Sequence, residues 1–388
     1  MTGPLAGTRV LELAGLGPGP FATMLMADLG ADVVRVDRAV PAGLRLGTGA
    51  RADVVNRGKR SVAVDLKSPA GKDLVLRLVE TSDVLVEGFR PGVAERLGLG
   101  PDECTARNPR LVYGRMTGFG QDGPLSDVAG HDIGYVALTG ALWATGRHDE
   151  RPVAPLNLLG DYAGGSLFLV MGVLAALLEA RRSGRGQVVD AAMVDGTSVL
   201  TTMFTALSGL GAWDPSSRGT NLLDSGAPFY EVYACADGRF VAVGALEPQF
   251  YERLVELTGF RPDDPERLRQ PPRAQWPQHK QEWAQLWATR NRDDWTALLG
   301  ATDACVQPVL DWSERFDHPH LAARGTFVEI DGIVQPAPAP RLSRTPGEVR
   351  RPPPLPGEHT RQIADEAGLS VERVQALLDA GAIAEGAS

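Results

Sequence analysis

Three side chains lie in sequence contexts suited to proton transfer: His131, Asp161 and Glu247. His131 follows a glycine and directly precedes an apolar helical pattern, which predicts a helix N-terminus, where the imidazole stays neutral and can act as a base. A structural capping role explains the same context. Asp161 precedes a long apolar helix, either as its N-cap or as a carboxylate in a dry pocket beside amides that can hold an oxyanion. Glu247 follows a strand and precedes a helix, and its context alone indicates little.

Other reaction chemistries find less support in the residues. His318 and His320 are two positions apart and no third ligand follows at a useful spacing, so no metal site is predicted. The sequence has no nucleophile elbow of the type G-x-S-x-G and no clear Ser-His-Asp order. Cys104, Cys235 and Cys305 are far apart, which favours buried small apolar residues over a disulfide framework or a zinc site.

The composition limits the kinds of partner. The chain has 388 residues, with 39 Lys and Arg against 48 Asp and Glu, so its formal charge is −9. An acidic chain is a poor general binder of nucleic acid or of anionic membranes. The longest apolar run, at residues 167–178, is shorter than the ~20 residues that cross a bilayer. No secretion signal or peroxisomal tripeptide is recognised, so we expect a cytoplasmic protein without a membrane span.

One segment differs from this acidic background. Residues 35–60 contain seven basic side chains and two acids, a local charge of +5 that leaves −14 for the rest of the chain. An anionic small ligand fits such an island better than a nucleic acid does, and solvated surface charge is the alternative. Lys67 and Arg90 extend the patch, because each lies at or just past the end of a predicted strand, where open α/β sheets bind ligands. The seven basic residues are Arg35, Arg38, Arg45, Arg51, Arg57, Lys59 and Arg60.

A glycine-rich turn joins the first predicted strand to the first predicted helix. Its residues, Gly15-Leu16-Gly17-Pro18-Gly19-Pro20, imitate a dinucleotide fingerprint, with Asp37 at the end of the next strand. Pro18 and Pro20 have no backbone N–H to offer a pyrophosphate. The pattern therefore favours a tight turn with proline at the first helical position over the binding of NAD.

The elements that must position these residues form two patterned blocks. Strand and helix patterns alternate over the first third of the chain, which predicts a large, open, mostly parallel α/β domain over residues 1–190. Residues 191–226 are predicted as a linker, and residues 227–330 as a smaller α+β domain that begins with a hairpin around Asp237-Gly238. Residues 331–388 are predicted as a C-terminal segment that returns to the large domain, and eight prolines between Pro336 and Pro356 predict an extended path there.

Periodicity and capping signals place the individual elements. Strands of the large domain are predicted over residues 8–13, 33–36, 61–66, 83–86, 111–116 and 187–193. Helices are predicted over residues 21–29, 69–80, 164–182, 248–257, 281–288, 292–299 and 371–379.

Six segments together resemble the α-methylacyl-CoA racemase branch of the family III CoA-transferase superfamily. The resemblance runs from Pro4 to about His359 and includes the runs G-A-P-F-Y at 226–230 and D-A-C-V at 303–306. Gly134 departs from the family pattern, which usually has asparagine after Gly-His-Asp-Ile, and this implies a wider acyl pocket or a looser cofactor contact. The six segments are G-L-G-P-G-P (15–20), A-D-V-V-R-V-D-R (31–38), N-R-G-K-R-S (56–61), G-H-D-I (130–133), P-L-N-L-L-G-D (155–161) and E-P-Q-F-Y (247–251).

The resemblance implies roles for individual residues. His131 and Asp161 become the two acid/base residues, and Glu247 lies in the same pocket, oriented toward His131. The residues that the resemblance implies for binding CoA are Arg38, Val64, Asp65, Leu66, Lys67, Arg90, Gly130, Asp132 and Tyr135.

The implied activity is that of an isomerase, a racemase that interconverts (2R)- and (2S)-2-methylacyl-CoA thioesters by removing and returning the α-proton through an enolate. It needs no metal and no cofactor apart from the CoA of its substrate. In this family two chains interlink as rings to form a homodimer, so that the partner subunit's Glu247 reaches the site. The main alternative is a CoA-transferase in which Asp161 forms an aspartyl anhydride. An inactive CoA-binding subunit would lack the His131 and Asp161 pair.

Overall fold

The computed structural model describes residues 3–40 and 49–386, and the chain divides into two compact units. The first unit comprises Met1–Thr139, Leu156–Leu200 and Gly325–Ser388, and the second comprises Gly140–Pro155 and Thr201–Arg324. These limits differ from the predicted boundaries at 190, 226 and 330. Residues 140–155 belong to the second unit, and two helices lie within the predicted linker, one in each unit.

The described part of the first unit is built around a seven-stranded sheet. Its strands are β1 (Arg9–Leu13), β2 (Asp32–Arg38), β3 (Arg60–Val64), β4 (Val84–Glu87), β5 (Val112–Thr117), β6 (Val188–Ala192) and β12 (Ile383–Ala384). They lie in the order β12-β3-β2-β1-β4-β5-β6, and every neighbouring pair is parallel except β12 with β3. The predicted strands are confirmed to within two residues at each end. The strand order reverses between β1 and β4, which opens a crevice at their carboxyl ends.

The helices of this unit begin where local capping signals predict. Proline occupies the first helical position of α1 (Pro18–Asp28), directly after Gly17, so the tight-turn interpretation of the glycine cluster is confirmed. In α2 (Pro69–Glu80) the Ser68 hydroxyl accepts a hydrogen bond from the Gly71 amide at 3.5 Å, and the predicted bounds are correct. The other α-helices of this unit before residue 201 are α3 (Val93–Arg96), α4 (Pro101–Arg107), α5 (Asp132–Leu138), α7 (Leu167–Ser183) and α8 (Met193–Leu200).

The long apolar helix begins earlier than predicted. A π-helical segment, Leu158–Ser166, continues directly into α7, so the helix starts at residue 158 rather than at 164. The continuous helix Leu158–Ser183 is long and apolar enough to span a bilayer, although the uninterrupted run of apolar residues within it is too short to do so. Core helices of globular proteins pass the same test. Here 44% of its apolar window is buried, and one face packs into the core of the first unit.

The proline-rich segment joins the C-terminal helices to the first unit. A hairpin of β10 (Phe327–Ile330) and β11 (Ile333–Pro336) precedes residues 337–359, which contain neither helix nor strand, as the prolines predict. The segment packs on the end of α1, where the Glu348 amide donates to the Asp28 carbonyl at 2.9 Å. Two helices follow, α14 (Thr360–Glu366) and α15 (Val371–Asp379).

The second unit is a small α+β fold. Its antiparallel sheet contains β7 (Tyr230–Ala234), β8 (Phe240–Gly244) and β9 (Val306–Val309), and the predicted Asp-Gly hairpin joins β7 to β8. Trp283, Trp287 and Trp295 pack together in its core. Its helices are α6 (Ala141–Ala144), α9 (Thr202–Gly209), α10 (Pro248–Thr258), α11 (Trp276–Trp287), α12 (Arg292–Leu299) and α13 (Pro319–Ala323).

Candidate active site

Asp161 lies inside the π-helical segment, four residues after Asn157. The Asn157 side-chain amide donates to Asp161 Oδ2 at 3.1 Å, and the Asp161 backbone N–H donates to Asp132 Oδ1 at 2.7 Å. The sequence offered Asp161 as the N-cap of this helix. In the structure the π-helical segment begins at Leu158, so Asp161 lies inside it and is not its cap. Its amide, expected among the donors for an oxyanion, is already engaged by Asp132. π-helical turns are frequent at functional sites.

The surroundings of Asp161 favour its protonated form. Burial raises the pKa of this carboxyl, and the nearby carboxylate of Asp132 raises it further. The hydrogen bond from Asn157 and the charge of His131 act in the opposite direction but do not offset burial. Within the described ranges no lysine or arginine pairs with Asp161. An aspartate in this state can take up and release a proton more easily than an ion-paired one.

His131 immediately precedes α5, at its N-cap position. Its backbone is extended, with φ −137° and ψ 168°, and its side chain makes no capping hydrogen bond. The structural capping role is therefore not observed, and the imidazole is exposed. Because His131 acts on the pKa of Asp161, the structure brings these two predicted acid/base residues into one electrostatic neighbourhood within the first unit.

Glycines give the site its close packing. Gly17 has φ 69°, and a Cβ there would lie 3.2 Å from Asp161 Oδ2, so the glycine turn after β1 borders the Asp161 carboxylate directly. Gly160 leaves room for the Asp132 carboxylate, and Gly130 leaves room for the Tyr135 ring. The sequence indicated the turn at Gly17 but not its contact with Asp161, which depends on tertiary packing.

Two residues that the resemblance implies for CoA binding, Asp132 and Tyr135, are buried near Asp161. The Asp132 carboxylate is buried and turns toward the Asp161 amide, so its observed role is to hold Asp161. Tyr135 is also buried and packs edge-on against Phe119. Burial raises the pKa of Tyr135, and the charge of Asp161 raises it further, whereas the charge of Arg90 lowers it.

The exposed cations lie where strands of the sheet end. Arg38 is the last residue of β2, and Lys67 and Arg90 each lie three residues beyond the ends of β3 and β4. All three side chains are exposed, and none forms an ion pair with another residue in the described part of the chain. They are therefore available to an anionic ligand at the carboxyl edge of the sheet.

Of the residues at the end of β3 that the resemblance implies for CoA binding, Lys67 alone has an exposed side chain. Val64 is 1% exposed and belongs to the core, and its carbonyl accepts the Ala39 amide, so a direct ligand contact through this residue is corrected to a packing role. Leu66 packs against the same core. The Asp65 carboxylate accepts the Lys67 backbone amide at 3.0 Å, which shapes the turn that presents the lysine.

The basic segment of residues 35–60 is mostly internal, which corrects its interpretation as a phosphate-binding island. Lys59 is fully buried against Glu12 at 2.8 Å, and Arg57 is buried against Asp28 at 2.6 Å. Acids from distant parts of the chain thus neutralise the excess charge. Of the remaining residues, Arg35 pairs with Glu12 and Asp37, Arg60 with Asp32 and Glu366, and Arg51 with Glu358, while Arg45 lies outside the described residues.

Glu247 lies in the second unit, as the N-cap residue of α10. Its side chain is exposed and makes no capping hydrogen bond. Cys305 is nearby, and burial together with the charge of Glu247 raises the pKa of this thiol. The prediction of buried cysteines is correct for Cys104 and Cys235 and wrong for Cys305, which is partly exposed.

Comparisons with known proteins agree over nearly the whole chain. A family model described as CoA-transferase family III matches residues 5–360. The chain is 46% identical over 378 residues to human alpha-methylacyl-CoA racemase, covering 96% of each protein. It is 34% identical to the succinate–glutarate CoA-transferase of Agrobacterium fabrum, covering 94% of this chain and 95% of that one. The crystal structure of a CAIB/BAIF family protein from Brucella suis superposes with a TM-score of 0.81 at 27% identity, covering 95% of this chain and 100% of that one.

Proposed function

The chain belongs to CoA-transferase family III, and we propose that it is an α-methylacyl-CoA racemase, an isomerase that interconverts the (2R) and (2S) forms of 2-methylacyl-CoA thioesters. The observation that carries the proposal is the juxtaposition of His131 with a half-buried, unpaired Asp161. Two different proton carriers suit a reaction in which one takes a proton and the other returns one.

The chemistry follows from the acidity of the α-hydrogen. A thioester carbonyl accepts the electron pair as an enolate when the proton at C2 leaves. His131 takes the proton from one face of C2 and Asp161 returns a proton to the other, and the reverse direction exchanges their roles. The raised pKa of Asp161 serves this exchange, because a protonated carboxyl must be accessible near neutral pH. The sequence of steps uses no cofactor beyond the CoA of the substrate.

The CoA portion of the substrate finds its cations at the carboxyl edge of the sheet. Arg38, Lys67 and Arg90 are exposed at the ends of β2, β3 and β4, and phosphate groups are the natural ligands of such unpaired cations. Phosphates bound there place the acyl end toward the crevice between β1 and β4, which Gly17 and Asp161 border. We propose a cytoplasmic site of action, where acyl-CoA substrates are available.

The enzyme is proposed to act as an interlinked homodimer. Leu167, Met171 and Leu178 are 52%, 60% and 68% exposed and follow one another along a single face of α7. An exposed apolar stripe of this kind needs a cover, and a second copy of the chain supplies one. In this arrangement the partner subunit's Glu247 orients His131.

A complementation experiment tests the shared site. Chains carrying Asp161→Ala and chains carrying Glu247→Ala are inactive alone, and coexpression in equal amounts yields mixed dimers with one intact site each. Half of the dimers are mixed, so about one quarter of the wild-type activity returns. No recovery in purified mixed dimers would mean that Glu247 acts within its own chain, and full activity of Glu247→Ala alone would mean that it does not act at all.

Isotope exchange tests the reaction itself. A single epimer of a 2-methylacyl-CoA incubated with the enzyme in deuterated water should yield α-deuterated product of inverted configuration. Unlabelled, unchanged substrate would refute racemisation. Appearance of a new acyl-CoA on addition of a carboxylate acceptor, with ping-pong kinetics, would assign the chain to CoA transfer through an Asp161 anhydride instead.

A further inference from the structure

A buried carboxylate directly precedes the loop that carries Arg90. Glu87 is the last residue of β4 and is 1% exposed. Each of its carboxylate oxygens accepts one hydrogen bond: the Phe89 backbone N–H donates to Oε2 at 2.6 Å, and Arg115 Nε donates to Oε1 at 3.0 Å. The carboxylate therefore fixes the first turn of the loop to a neighbouring strand.

The same arginine also holds the far side of the loop. Arg115 lies on β5, and its Nη1 donates to Glu95 Oε1 in α3 at 2.8 Å. The chain between Glu87 and Glu95 contains Arg90, whose carbonyl accepts the Val93 amide at 3.1 Å. One guanidinium thus ties down both ends of the segment in which Arg90 is central.

Stability does not explain why Glu87 is charged. Burial raises the pKa of this carboxyl to about 7, and the Phe89 amide and Arg115 do not offset the effect. The folded protein therefore ionises Glu87 less readily than the unfolded chain does, so the contribution of this group to stability is lost as the pH rises from the ordinary glutamate pKa of 4.5 to about 7. A buried ionic contact retained against stability is a candidate for a functional role.

We propose that Glu87 is a positioning residue that holds Arg90, through the Phe89 amide and Arg115, in place for a phosphate group of CoA. The inference rests on the proposed function. The Arg90 side chain is exposed and has no ion-pair partner among the residues described, so the backbone of its loop sets where the guanidinium lies. Because the phosphates of CoA do not react, loss of this alignment raises KM and leaves kcat nearly unchanged.

A double-mutant cycle tests the coupling directly. Calorimetric titration with free CoA compares the wild type, Glu87→Gln, Arg90→Ala and the double variant. Glutamine keeps one acceptor oxygen but replaces the other with a donor, so it cannot serve both Phe89 and Arg115. We expect Glu87→Gln to weaken CoA binding about tenfold in the wild type and to have no further effect when Arg90 is absent. The KM for the acyl-CoA should rise by the same factor, with kcat within about twofold of the wild type.

Two further variants keep the test decisive. Glu95→Gln removes the partly exposed partner of Arg115 and should weaken CoA binding by a smaller factor. This variant replaces Glu87→Gln in the test if Glu87→Gln does not fold. Glu80→Gln, at the end of α2, breaks an exposed pair with Arg107 of α4 and should leave CoA binding unchanged. Wild-type affinity in Glu87→Gln, or an equal loss in the Arg90→Ala background, would overturn the inference alone. Absence of CoA binding by the wild type would overturn the proposed function as well.

Discussion

Two carboxylates of the first unit, Glu12 and Asp161, have opposite surroundings although the same glycine turn separates them. Glu12 is 1% exposed and pairs with both Lys59 and Arg35, and these two cations also donate to carbonyls of the turn. Asp161 borders the same turn at Gly17, and the only side-chain hydrogen bond that its carboxylate accepts within the described residues comes from the neutral amide of Asn157. Glu12 is fully buried and Asp161 is half-buried, but only Glu12 forms ion pairs with cations in the described part of the chain.

The contrast lies in the neighbouring cations, more than in burial, because they decide in which direction each pKa shifts. Burial alone raises the pKa of both acids. Lys59 and Arg35 outweigh it at Glu12, whose pKa is lowered, whereas Asn157 and His131 do not outweigh it at Asp161, whose pKa is raised. A carboxylate locked in its charged form stabilises the turn. A carboxylate free to change its charge can carry a proton.

Replacing Asp161 provides the strongest test of this contrast. Asp161→Asn keeps the shape of the side chain and removes its proton exchange, so racemisation should fall by about 10³-fold or more. Because His131 remains, α-deuteration of one epimer should persist without inversion. Chiral analysis of the acyl-CoA and its deuterium content measure both effects.

Asp190 offers a matched control for this variant. Like Asp161, it accepts a neutral N–H, here the Gln121 backbone amide at 3.2 Å, and burial raises its pKa in the same direction. Asp190→Asn should retain activity. Comparable losses in the two variants would show that the contrast between Glu12 and Asp161 does not identify the catalytic acid.

The Glu12 side of the contrast predicts a loss of stability. Lys59→Met leaves Glu12 buried with one cation fewer, and breaking a buried pair costs about 3 kcal/mol in the free energy of unfolding. Urea denaturation measures it. Arg107→Ala breaks an exposed pair instead and should change the free energy of unfolding by less than about 1 kcal/mol. Equal effects would mean that the buried network does not stabilise the turn.

The unpaired cations extend the same contrast to substrate binding. Arg38→Ala, Lys67→Ala and Arg90→Ala should each raise the KM for the acyl-CoA roughly fivefold to tenfold, with kcat and melting temperature nearly unchanged. Arg51 is the matched control, since it is an exposed arginine already paired with Glu358 at 2.7 Å. An increase in KM for Arg51→Ala as large as for Arg38→Ala would contradict the distinction between paired and unpaired cations.

What the sequence predicts well depends on short-range signals. The helices Pro69–Glu80, Arg292–Leu299 and Val371–Asp379 have their predicted bounds, because proline, capping residues and apolar spacing act within a few positions. The acid/base candidates were proposed from local sequence contexts and from the family resemblance, and their roles remain predictions. The basic segment was misinterpreted because the acids that neutralise it, such as Glu12 and Asp28, are far away in sequence. The π-helical segment was missed for a similar reason, since its glycines are needed for packing against other elements.

The smallest expected effect is that Asp161 and Glu12 make the free energy of unfolding change with pH in opposite directions. The folded pKa of Asp161 is raised, so its contribution to stability is greatest at low pH and declines as the pH rises through that folded value. The folded pKa of Glu12 is lowered, so its contribution is present above the ordinary glutamate value and is lost as the pH falls. Urea denaturation from pH 3 to pH 8 should therefore show Asp161→Asn gaining stability relative to the wild type as the pH rises above the ordinary aspartate value. Glu12→Gln should lose relative stability as the pH rises from 3 to the ordinary glutamate value. Parallel pH dependences would mean that cations do not distinguish the two carboxylates, and the assignment of Asp161 as the proton carrier would lose its electrostatic basis.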